Sequence, residues 1–572
     1  MFRKNTKHQQ PALISATSEL PEKQRKRLEN SWAGTFYQEF FCRIDEQVFA
    51  VLYSEKDSRP NVPVNVLIGL EALKAGFGWS DQELYEHYCY DLQVRYAVGY
   101  DRLGDGDFEI RSLYYFRERL SRYNAEAGIN LLEKAFEQLT DAQIVDLKMR
   151  TGMQRMDSTQ IASNIVSASR LHLLVAAVQR VERILSAADK LRLSESFAPY
   201  TQDSAGHYTY RVKGKQAVAE HLQKVGQTIQ ALLQDLKSAY AAETAYQVLV
   251  RIFAENFHLL ESGVCAKENS EITSACLQSV DDLEATYRTK GTGHYKGYVA
   301  NLTETCDPQN EIQLITKVQV APNNVDDSQL LAEALPNLKE RTGLDTLLTD
   351  GGFGSETADL ALQDQQVSLV QTALRGAQPD PHKFSLCDFD IQQDETGQPH
   401  QITCPQGQTV PVTPGRTTGW QAHFDPRLCS TCPFQLEGRC RTQPQKRDPR
   451  YLLTFTTQEV RSARRRQAYR THIADSHNLR SAVEATVRSV KHPFPAGKLP
   501  VRGQFRVTCM TIASAATANV RRIQRYRMAK WKQAEATKSP QSETAAAALV
   551  SFFVSSLRWL RSRPVFRPCF GF

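Results

Sequence analysis

The 572-residue sequence lacks any uncharged apolar run near the roughly 18 residues that a membrane-spanning helix needs. Its longest candidate, residues 545–554, is much too short. The N-terminal segment MFRKNTKHQQ is polar and no apolar segment follows it, which argues against a signal peptide. The 12 cysteines are sparse and unevenly placed, so no secreted disulfide framework is indicated. These absences predict a soluble protein of the reducing cytoplasm.

The composition also excludes wholesale disorder. Hydrophobic residues make up 41% of the chain and charged residues 23%, as in globular proteins and unlike collagen-like or purely coiled-coil chains. A length of 572 residues suggests about four domain-sized units. We therefore expect most of the chain to fold.

The excess of positive over negative charge lies almost entirely at the C-terminal end. Residues 461–572 hold 22 lysines and arginines but only four acids, a net charge of +18. Since the whole chain carries +7, the preceding 460 residues carry −11. Because lysine and arginine neutralise phosphates, this segment predicts a nucleic-acid surface. The alternative is a solvated tail, which fits the stretch after about residue 530 better than residues 461–527.

Residues 62–123 have a helical pattern with short loops. A Gly-Phe-Gly-Trp break at 76–79 precedes a capping box formed by Ser80 and Glu83. The helix that follows is predicted to place three apolar residues on one face: Leu84, Tyr88 and Leu92. The pattern is typical of a DNA-binding helix-turn-helix pair and equally of a plain helical bundle.

Residues 166–275 are predicted to form a helical insertion. Two groups of apolar residues repeat there at 4-3-4 spacing: Leu174, Val178, Val181 and Leu185, then Val225, Ile229, Leu232 and Leu236. The insertion is either a stabilising hairpin or a dimerisation arm, and two short stripes favour the hairpin.

Strand and helix signals alternate on both sides of this insertion. An extended run reaches Asp157, and strands are predicted at 295–302, 312–320, 344–349 and 367–371. Asp326 or Asp327 is expected to cap a helix running to about residue 341, and another helix begins near Ser355. This order predicts an α/β core with mixed strand pairing.

Two acids are predicted at strand ends, Asp157 after the first strand and Asp350 after the fourth. Side chains at such positions converge on the ligand crevice of an open α/β sheet, which suits a metal site. A strand-end aspartate before Gly351 and Gly352 is also common turn chemistry. Either residue alone is therefore weak evidence.

A third acid, Glu484, lies in the segment SHNLRSAVEATVRSVKHPFP, which predicts a helix opened by Asp475 or Ser476 and closed before Pro493. Its helical spacing puts one acid on the same face as three bases: Arg480, Arg488 and Lys491. A solvated charged face has the same pattern. A lone acid among bases also suits a carboxylate that holds a divalent cation while its neighbours hold DNA phosphates.

Four cysteines between the second and third acids have the spacing Cys404-x24-Cys429-x2-Cys432-x7-Cys440. This spacing, with prolines and glycines nearby, predicts a zinc ribbon in which four thiolates hold a structural Zn²⁺. Cys387 is a spare candidate ligand. The alternative is reduced, partly buried thiols. The ribbon either contacts DNA through the arginines around it or serves a purely structural role.

These motifs resemble those of the DDE transposases of bacterial insertion sequences. Arg480, Glu484 and Lys491 match the Arg-x3-Glu-x6-Lys part of that family's signature, and MDSTQI and LLTDGGFGSE are similar to its two aspartate segments. The segment from IDEQVFAVLY to LQVRYAVGY is similar to the InsH-type N-terminal domain, and the layout is most like the eleven-eighty-two group. The resemblance covers roughly residues 30–525. It departs at His477, where the signature has tyrosine.

The resemblance implies an RNase H-like α/β catalytic core and transfer of DNA phosphodiesters by two Mg²⁺ ions, or Mn²⁺, about 4 Å apart. Asp157 is expected to bridge both ions, with Asp350 and Glu484 completing one side each. The site is expected to cut the element end and to join the resulting 3′-OH to target DNA. The expected DNA contacts are Arg480, Arg488, Lys491, Arg502 and Arg506.

The implied partners are double-stranded DNA, at transposon ends and target, and further copies of the chain in a homodimer or higher assembly on DNA. No membrane partner is expected, and the implied location is the bacterial cytoplasm, at the nucleoid. Two rivals remain: a DNA-binding protein that keeps the fold without cleaving, and an RNase H-like nuclease without strand transfer.

The resulting division of the chain has seven parts. They are a flexible arm (1–30), a helical InsH-type DNA-binding domain (31–140), the first part of the RNase H-like core (141–165 and 276–385), the helical insertion (166–275), a zinc-ribbon-like insertion (386–460), a catalytic helix with a basic region (461–530) and a poorly ordered tail (531–572).

Overall fold

The computed structural model describes most of the chain. The described residues are 1–9, 17–54, 56, 60–100, 105–261, 263–372, 380–394, 397–415, 419–445, 448–473, 479 and 481–538. Arg480, His477 and the predicted helix openers Asp475 and Ser476 lie outside these ranges.

The N-terminal third is helical. Its helices are α1 (Glu22–Glu29), α2 (Trp32–Glu39), α3 (Val64–Phe77), α4 (Asp81–Tyr90), α5 (Leu92–Ala97), α6 (Arg111–Ala127) and α7 (Leu131–Asp146). The predicted capping box is confirmed, since the Ser80 side chain accepts from the Glu83 amide while Glu83 accepts from the Ser80 amide. Leu92 does not continue α4, because Asp91 ends that helix and caps α5.

A mixed sheet forms the centre of the molecule. Its strands are β1 (Met153–Ile161), then, after a short hairpin of β2 (Phe257–Leu260) and β3 (Gly263–Ala266), β4 (Thr286–Lys290), β5 (Gly293–Thr305), β6 (Ile315–Pro322), β7 (Thr346–Thr349) and β8 (Ser368–Gln371). The path β4-β5-β1-β7-β8 is continuous and β6 also pairs with β5. Strand β5 is antiparallel to β1 and β6, whereas β7 is parallel to β1 and β8 to β7. The predicted mixed α/β class is confirmed and is consistent with an RNase H-like core.

Local signals set the helices of this sheet region. Asp326 caps α14 (Asp327–Thr342), and Ser355 caps α15 (Glu356–Asp364), as their short polar side chains accept from the first free amides. The predicted strands at 295–302 and 312–320 form as β5 and β6 and pair antiparallel, although β6 begins at Ile315 and not at Ile312.

The segment between β1 and β2 forms a helical unit with its own core. Its helices are α8 (Arg170–Ile184), α9 (Ala187–Arg192), α10 (Ser194–Thr201), α11 (Ala205–Arg211), α12 (Lys215–Tyr240) and α13 (Thr244–Asn256). The eight residues of the two apolar stripes are all buried in this core. Their 4-3-4 spacing lines one face of α8 and one of α12, which is why the two helices pack together.

A second sheet follows the mixed sheet in the chain. It is antiparallel and consists of β9 (Asp390–Gln393), β10 (Pro399–Thr403), β11 (Thr409–Pro414), β12 (Trp420–Phe424), β13 (Gln443–Pro444) and β14 (Tyr451–Phe455), with α16 (Pro426–Ser430) and α17 (Pro433–Leu436) between β12 and β13. The chain then forms α18 (Thr457–Ile473), α19 (Val483–Lys491) and α20 (Gln504–Lys538).

Helix α20 packs against α3 and β6. Its buried residues, from Val507 to Ile523, belong to cores shared with the N-terminal helices and the mixed sheet. The helix runs to Lys538, past residue 530 where we placed the start of the tail.

The burial of α20 corrects our view of the basic segment as a nucleic-acid surface throughout. Arg522 pairs with Glu304 at 2.7 Å, Arg527 with Glu39, and Lys530 with Glu311 at 2.5 Å. These partners come from the acidic part of the chain. These three basic residues of α20 are therefore neutralised by acids within the fold.

The N-terminal helices are tied to the mixed sheet by partly buried ion pairs. Lys317 of β6 contacts Glu133 at 2.9 Å and Glu137 at 2.8 Å on α7, and Arg341 of α14 contacts Asp141 at 2.7 Å. At the N-terminus, the Asn5 amide donates to Glu46.

In the described residues no helix is long and apolar enough to cross a membrane.

Candidate active site

Two predicted acids belong to neighbouring parts of the mixed sheet: Asp157 lies in β1, and Asp350 directly follows β7, which is parallel to β1. Arg155 of β1 is paired with Leu348 of β7. Continuing this register by two residues puts Asp157 opposite Asp350, and neighbouring strands are about 4.8 Å apart. Asp157 is 8% exposed. The parallel pairing therefore brings the two chain segments that carry these acids to the same region of the sheet.

The position of Asp157 differs from the prediction of a strand end. Strand β1 continues to Ile161, because β5 pairs with it along Gln154–Ile161. It is β7 that stops, at Thr349, one residue before Asp350. Asp157 thus lies in the middle of its own strand but at the carboxyl end of the neighbouring one.

Asp350 also forms a turn. Its Oδ1 accepts from the Gly352 amide at 2.7 Å and begins the 3₁₀ turn Gly351–Phe353. The turn chemistry that we kept as an alternative is therefore present. A carboxylate has two oxygen atoms that can each accept several bonds. Accepting from the Gly352 amide through Oδ1 therefore does not prevent Asp350 from also binding a metal ion.

Helix α19 lies along β1 and is attached to it at two points. Before the helix, Arg155 Nη1 donates to the Leu479 carbonyl. At its end, Lys491 Nζ donates to Thr159 Oγ1 at 3.2 Å and to the Gln160 carbonyl at 2.8 Å. The two attachments lie on either side of Asp157 on β1.

Along the chain, Glu484 lies between the two attached residues, Leu479 and Lys491. It is in the first turn of α19, on its exposed side, whereas Val483, Thr486 and Val490 face the protein. The helix begins at Val483 and not at Asp475 or Ser476, so residue 480 precedes it. The predicted face of four charged residues is therefore reduced, within α19, to Glu484, Arg488 and Lys491.

A cluster of four buried or half-buried polar side chains lies beneath α19, and we did not predict it from the sequence. Glu304 accepts from Arg155 Nε at 2.6 Å, from Thr486 Oγ1 at 2.6 Å and from Arg522 Nη1 at 2.7 Å. We call these residues, Arg155, Glu304, Thr486 and Arg522, the Glu304 cluster. A glutamate near the end of the strand segment Gly293–Thr305 was the only signal in the sequence.

The predicted DNA contacts differ in exposure. Arg488 and Arg506 are exposed, whereas Lys491 is half-buried against β1, and its burial lowers the pKa of its ammonium group. Arg502 donates to the Asn164 carbonyl at 2.6 Å and lies 3.6 Å from Asp281. Arg502 and Arg506 line a cavity of about 800 Å³ between the N-terminal helices and α20.

The four cysteines of the predicted ribbon converge in the second sheet. Cys404, Cys429, Cys432 and Cys440 line one small cavity. Burial, and then the neighbouring thiols, raise the pKa of Cys429 to about 11. The spare candidate, Cys387, is buried in the core of this sheet and contacts Ser385 Oγ at 2.9 Å.

Neither set of residues forms a preformed chelate. Across the parts of the chain that the structure describes, no three or more His, Cys, Asp or Glu side chains are arranged to hold a metal ion. The fold brings the elements that carry the acids together, and it brings the cysteines around one cavity. By chemistry, the carboxylates suit Mg²⁺ or Mn²⁺ and the thiols suit Zn²⁺.

Comparison with known families identifies part of the chain. Residues 403–524 match the family model described as Transposase DDE domain. The match covers 122 of the 572 residues and shows similarity to DDE transposase domains over that part of the chain. It includes Glu484 and the four cysteines, whereas Asp157 and Asp350 precede it. No curated protein and no solved structure matches the chain.

Proposed function

We propose that the protein is a DNA transposase that binds the terminal inverted repeats of its element, cleaves DNA at the ends and joins the 3′-OH to target DNA. The observation that carries this proposal is the parallel pairing of β1, which contains Asp157, with β7, which ends one residue before Asp350. Helix α19, which carries Glu484, is attached to β1 on both sides of Asp157. The family match over residues 403–524 supports the same activity.

The three acids would hold the divalent ions. When bound, two Mg²⁺ or Mn²⁺ ions activate the attacking oxygen and stabilise the leaving oxygen of a phosphodiester. Asp157 would take part in holding both ions, since β1, which carries it, pairs with β7 and is bonded to α19. Asp350 and Glu484 each serve one side, and the 3₁₀ turn after Asp350 fixes its position.

The DNA backbone is expected to pass along the exposed side of α19. Arg488 follows Glu484 by one helical turn and is exposed, so it is suited to neutralise a phosphate next to the acids. Lys491 sits at the same face, and Arg502 and Arg506 extend the positive surface towards the N-terminal helices. Arg480 belongs to the same proposed set and lies outside the described residues.

The remaining parts have proposed roles as well. The N-terminal helices would recognise the terminal repeats, and the helical insertion would serve as a stabilising hairpin or as a contact between protomers on DNA. The four cysteines would hold a structural Zn²⁺, as supported by their convergence on one cavity. Zinc requires deprotonated thiols, so its binding would reverse the raised pKa of Cys429.

The decisive experiment uses purified protein, labelled element ends and a target plasmid, with Mg²⁺ or with EDTA. We expect Asp157→Asn, Asp350→Asn and Glu484→Gln to abolish cleavage while DNA binding is retained. Glu340→Gln, an exposed acid on α14, is the matched control and should cleave like the wild type.

The products separate the rival functions. Cut ends joined to the plasmid support transposition, whereas cutting without joining supports an RNase H-like nuclease. Binding without any cutting supports a repurposed DNA-binding protein. Wild-type cleavage by one of the three variants removes that residue from the proposed site.

A further inference from the structure

Glu304 is fully buried, and side chains of three different elements contact it. Its Oε1 accepts from Arg155 of β1, and its Oε2 accepts from Thr486 of α19 and from Arg522 of α20. Arg522 Nη2 also donates to Thr486 Oγ1. One carboxylate on β5 thus joins a strand and two helices.

Both ends of this connection are two residues from a proposed catalytic acid. On β1, Arg155 lies two positions before Asp157 and on the same side of the strand, because side chains alternate. On α19, Thr486 lies two positions after Glu484. The Glu304 cluster therefore connects the two elements whose separation sets the distance between Asp157 and Glu484.

Thr486 attaches helix α19 to this cluster near the start of the helix, where no side chain caps it at Ala482. The other attachments described for this segment are Arg155 to the Leu479 carbonyl before the helix and, at its C-terminal end, Lys491 to β1 and Ser514 Oγ to the Val490 carbonyl. Thr486 is thus the polar attachment nearest to Glu484 among the contacts described for this helix.

We propose that the Glu304 cluster is a positioning device that holds Glu484 at the correct distance from Asp157 for metal binding. The inference rests on the proposed function and adds Arg155, Glu304, Thr486 and Arg522 to it as positioning residues. None of them is assigned contact with DNA or metal. Residues that orient metal ligands typically change metal affinity or activity 10- to 100-fold when they are replaced.

The test replaces the hydroxyl that joins α19 to the cluster. Thr486→Val keeps the shape of the side chain and removes the bond, and Thr486→Ser restores the hydroxyl. The matched control is Thr517→Val, which removes a similarly buried hydroxyl that donates from α20 to the Ala72 carbonyl at 2.8 Å, away from the acids.

Two measurements are made on the full chain. Mn²⁺ affinity is followed by the electron paramagnetic resonance signal of the free ion, which does not require activity. The Mg²⁺ concentration for half-maximal cleavage of element ends is measured in parallel. We expect Thr486→Val to raise both the Mn²⁺ dissociation constant and the half-maximal Mg²⁺ concentration at least tenfold, and Thr486→Ser to restore both within about threefold.

The outcomes distinguish the inference from the function on which it rests. Equal Mn²⁺ affinity in Thr486→Val and wild type overturns the inference, as does an equal loss in Thr517→Val. Absence of Mn²⁺ binding in the wild type overturns it too, because there is then no metal site to position. Tight Mn²⁺ binding that weakens in Thr486→Val, in a protein that does not cut DNA, supports the positioning role and contradicts the proposed transposase activity.

Discussion

Arg155 and Glu304 are direct cross-strand partners on β1 and β5, and their side chains form a buried ion pair with Nε and Oε1 2.6 Å apart. Glu304 is completely buried and Arg155 nearly so. Buried charges of this kind are tolerated only when they are paired and hydrogen-bonded. The pair therefore fixes how β1 and β5 meet beside the proposed site.

Glu304→Gln is expected to destabilise the protein by about 3 kcal/mol, because it leaves Arg155 and Arg522 without their anionic partner. Urea unfolding at neutral pH measures the loss. The control is Glu118→Gln, which breaks an exposed pair with Arg122 and should cost less than about 0.5 kcal/mol. Similar losses in the two variants would contradict the importance of burial.

The stability of the protein should fall at acid pH through Asp81. Burial tends to raise the pKa of Asp81, but hydrogen bonds and charge from Arg117 and Lys74 outweigh it and lower the pKa to about 2, from 3.8. The contribution is therefore present above about pH 4 and is lost as the pH falls towards 2. Asp81→Asn should cost about 2 kcal/mol at pH 7 and nothing near pH 2.

Urea unfolding of Asp81→Asn and wild type at several pH values tests this. Glu22→Gln, in an exposed pair with Lys26, provides the control, and its stability difference from wild type should not change with pH. A difference for Asp81→Asn that stays constant between pH 7 and pH 2 would show that the carboxylate pairs are not the cause.

Gly78 should tolerate no side chain. Its φ of +74° is left-handed, and an added Cβ would lie 1.8 Å from the Pro493 carbonyl oxygen. Gly78→Ala should cost about 3 kcal/mol, from backbone strain and from overpacking. Gly128→Ala is the matched control, because Gly128 has φ +67° but no atom within 4 Å of its Cβ position. It should cost only about 1 kcal/mol by thermal unfolding.

Arg488→Ala should weaken binding to duplex DNA that carries an element end. The loss of one phosphate contact should lower the slope of log affinity against log salt by about 1. Arg192, an exposed arginine in the helical insertion, provides the control substitution Arg192→Ala. Filter binding over a series of NaCl concentrations gives both slopes, and an unchanged slope for Arg488→Ala argues against phosphate contact there.

The purified protein should contain about one Zn²⁺ per chain by elemental analysis, since four thiols make one tetrahedral site. Cys429→Ser should lose most of this zinc, and removal of the metal by a chelator should increase protease cleavage within residues 386–460. Cys265→Ser, which changes an exposed cysteine outside the ribbon, should retain the zinc. Full zinc content in Cys429→Ser would exclude the proposed ligand set.

The sequence predicted well those features that depend on nearby residues. The capping box of Ser80 and Glu83, the cap at Asp326 and the two apolar stripes of the insertion all involve partners within a few positions. Their interactions form in any context that allows the helix, so the pattern of residue types is sufficient to predict them. Helix α19 begins at Val483 with no side-chain cap at Ala482, and its predicted openers, Asp475 and Ser476, lie outside the described residues.

What the sequence alone determined is the set of elements, their order and the residue types able to hold metal and phosphate. The tertiary structure decided which of these residues meet. The pairing of β1 with β7 brings together the segments that carry Asp157 and Asp350, and Glu304 reaches Arg155 across 149 residues and Thr486 across 182. Such contacts depend on packing and strand alignment between distant segments, for which a local pattern carries no signal.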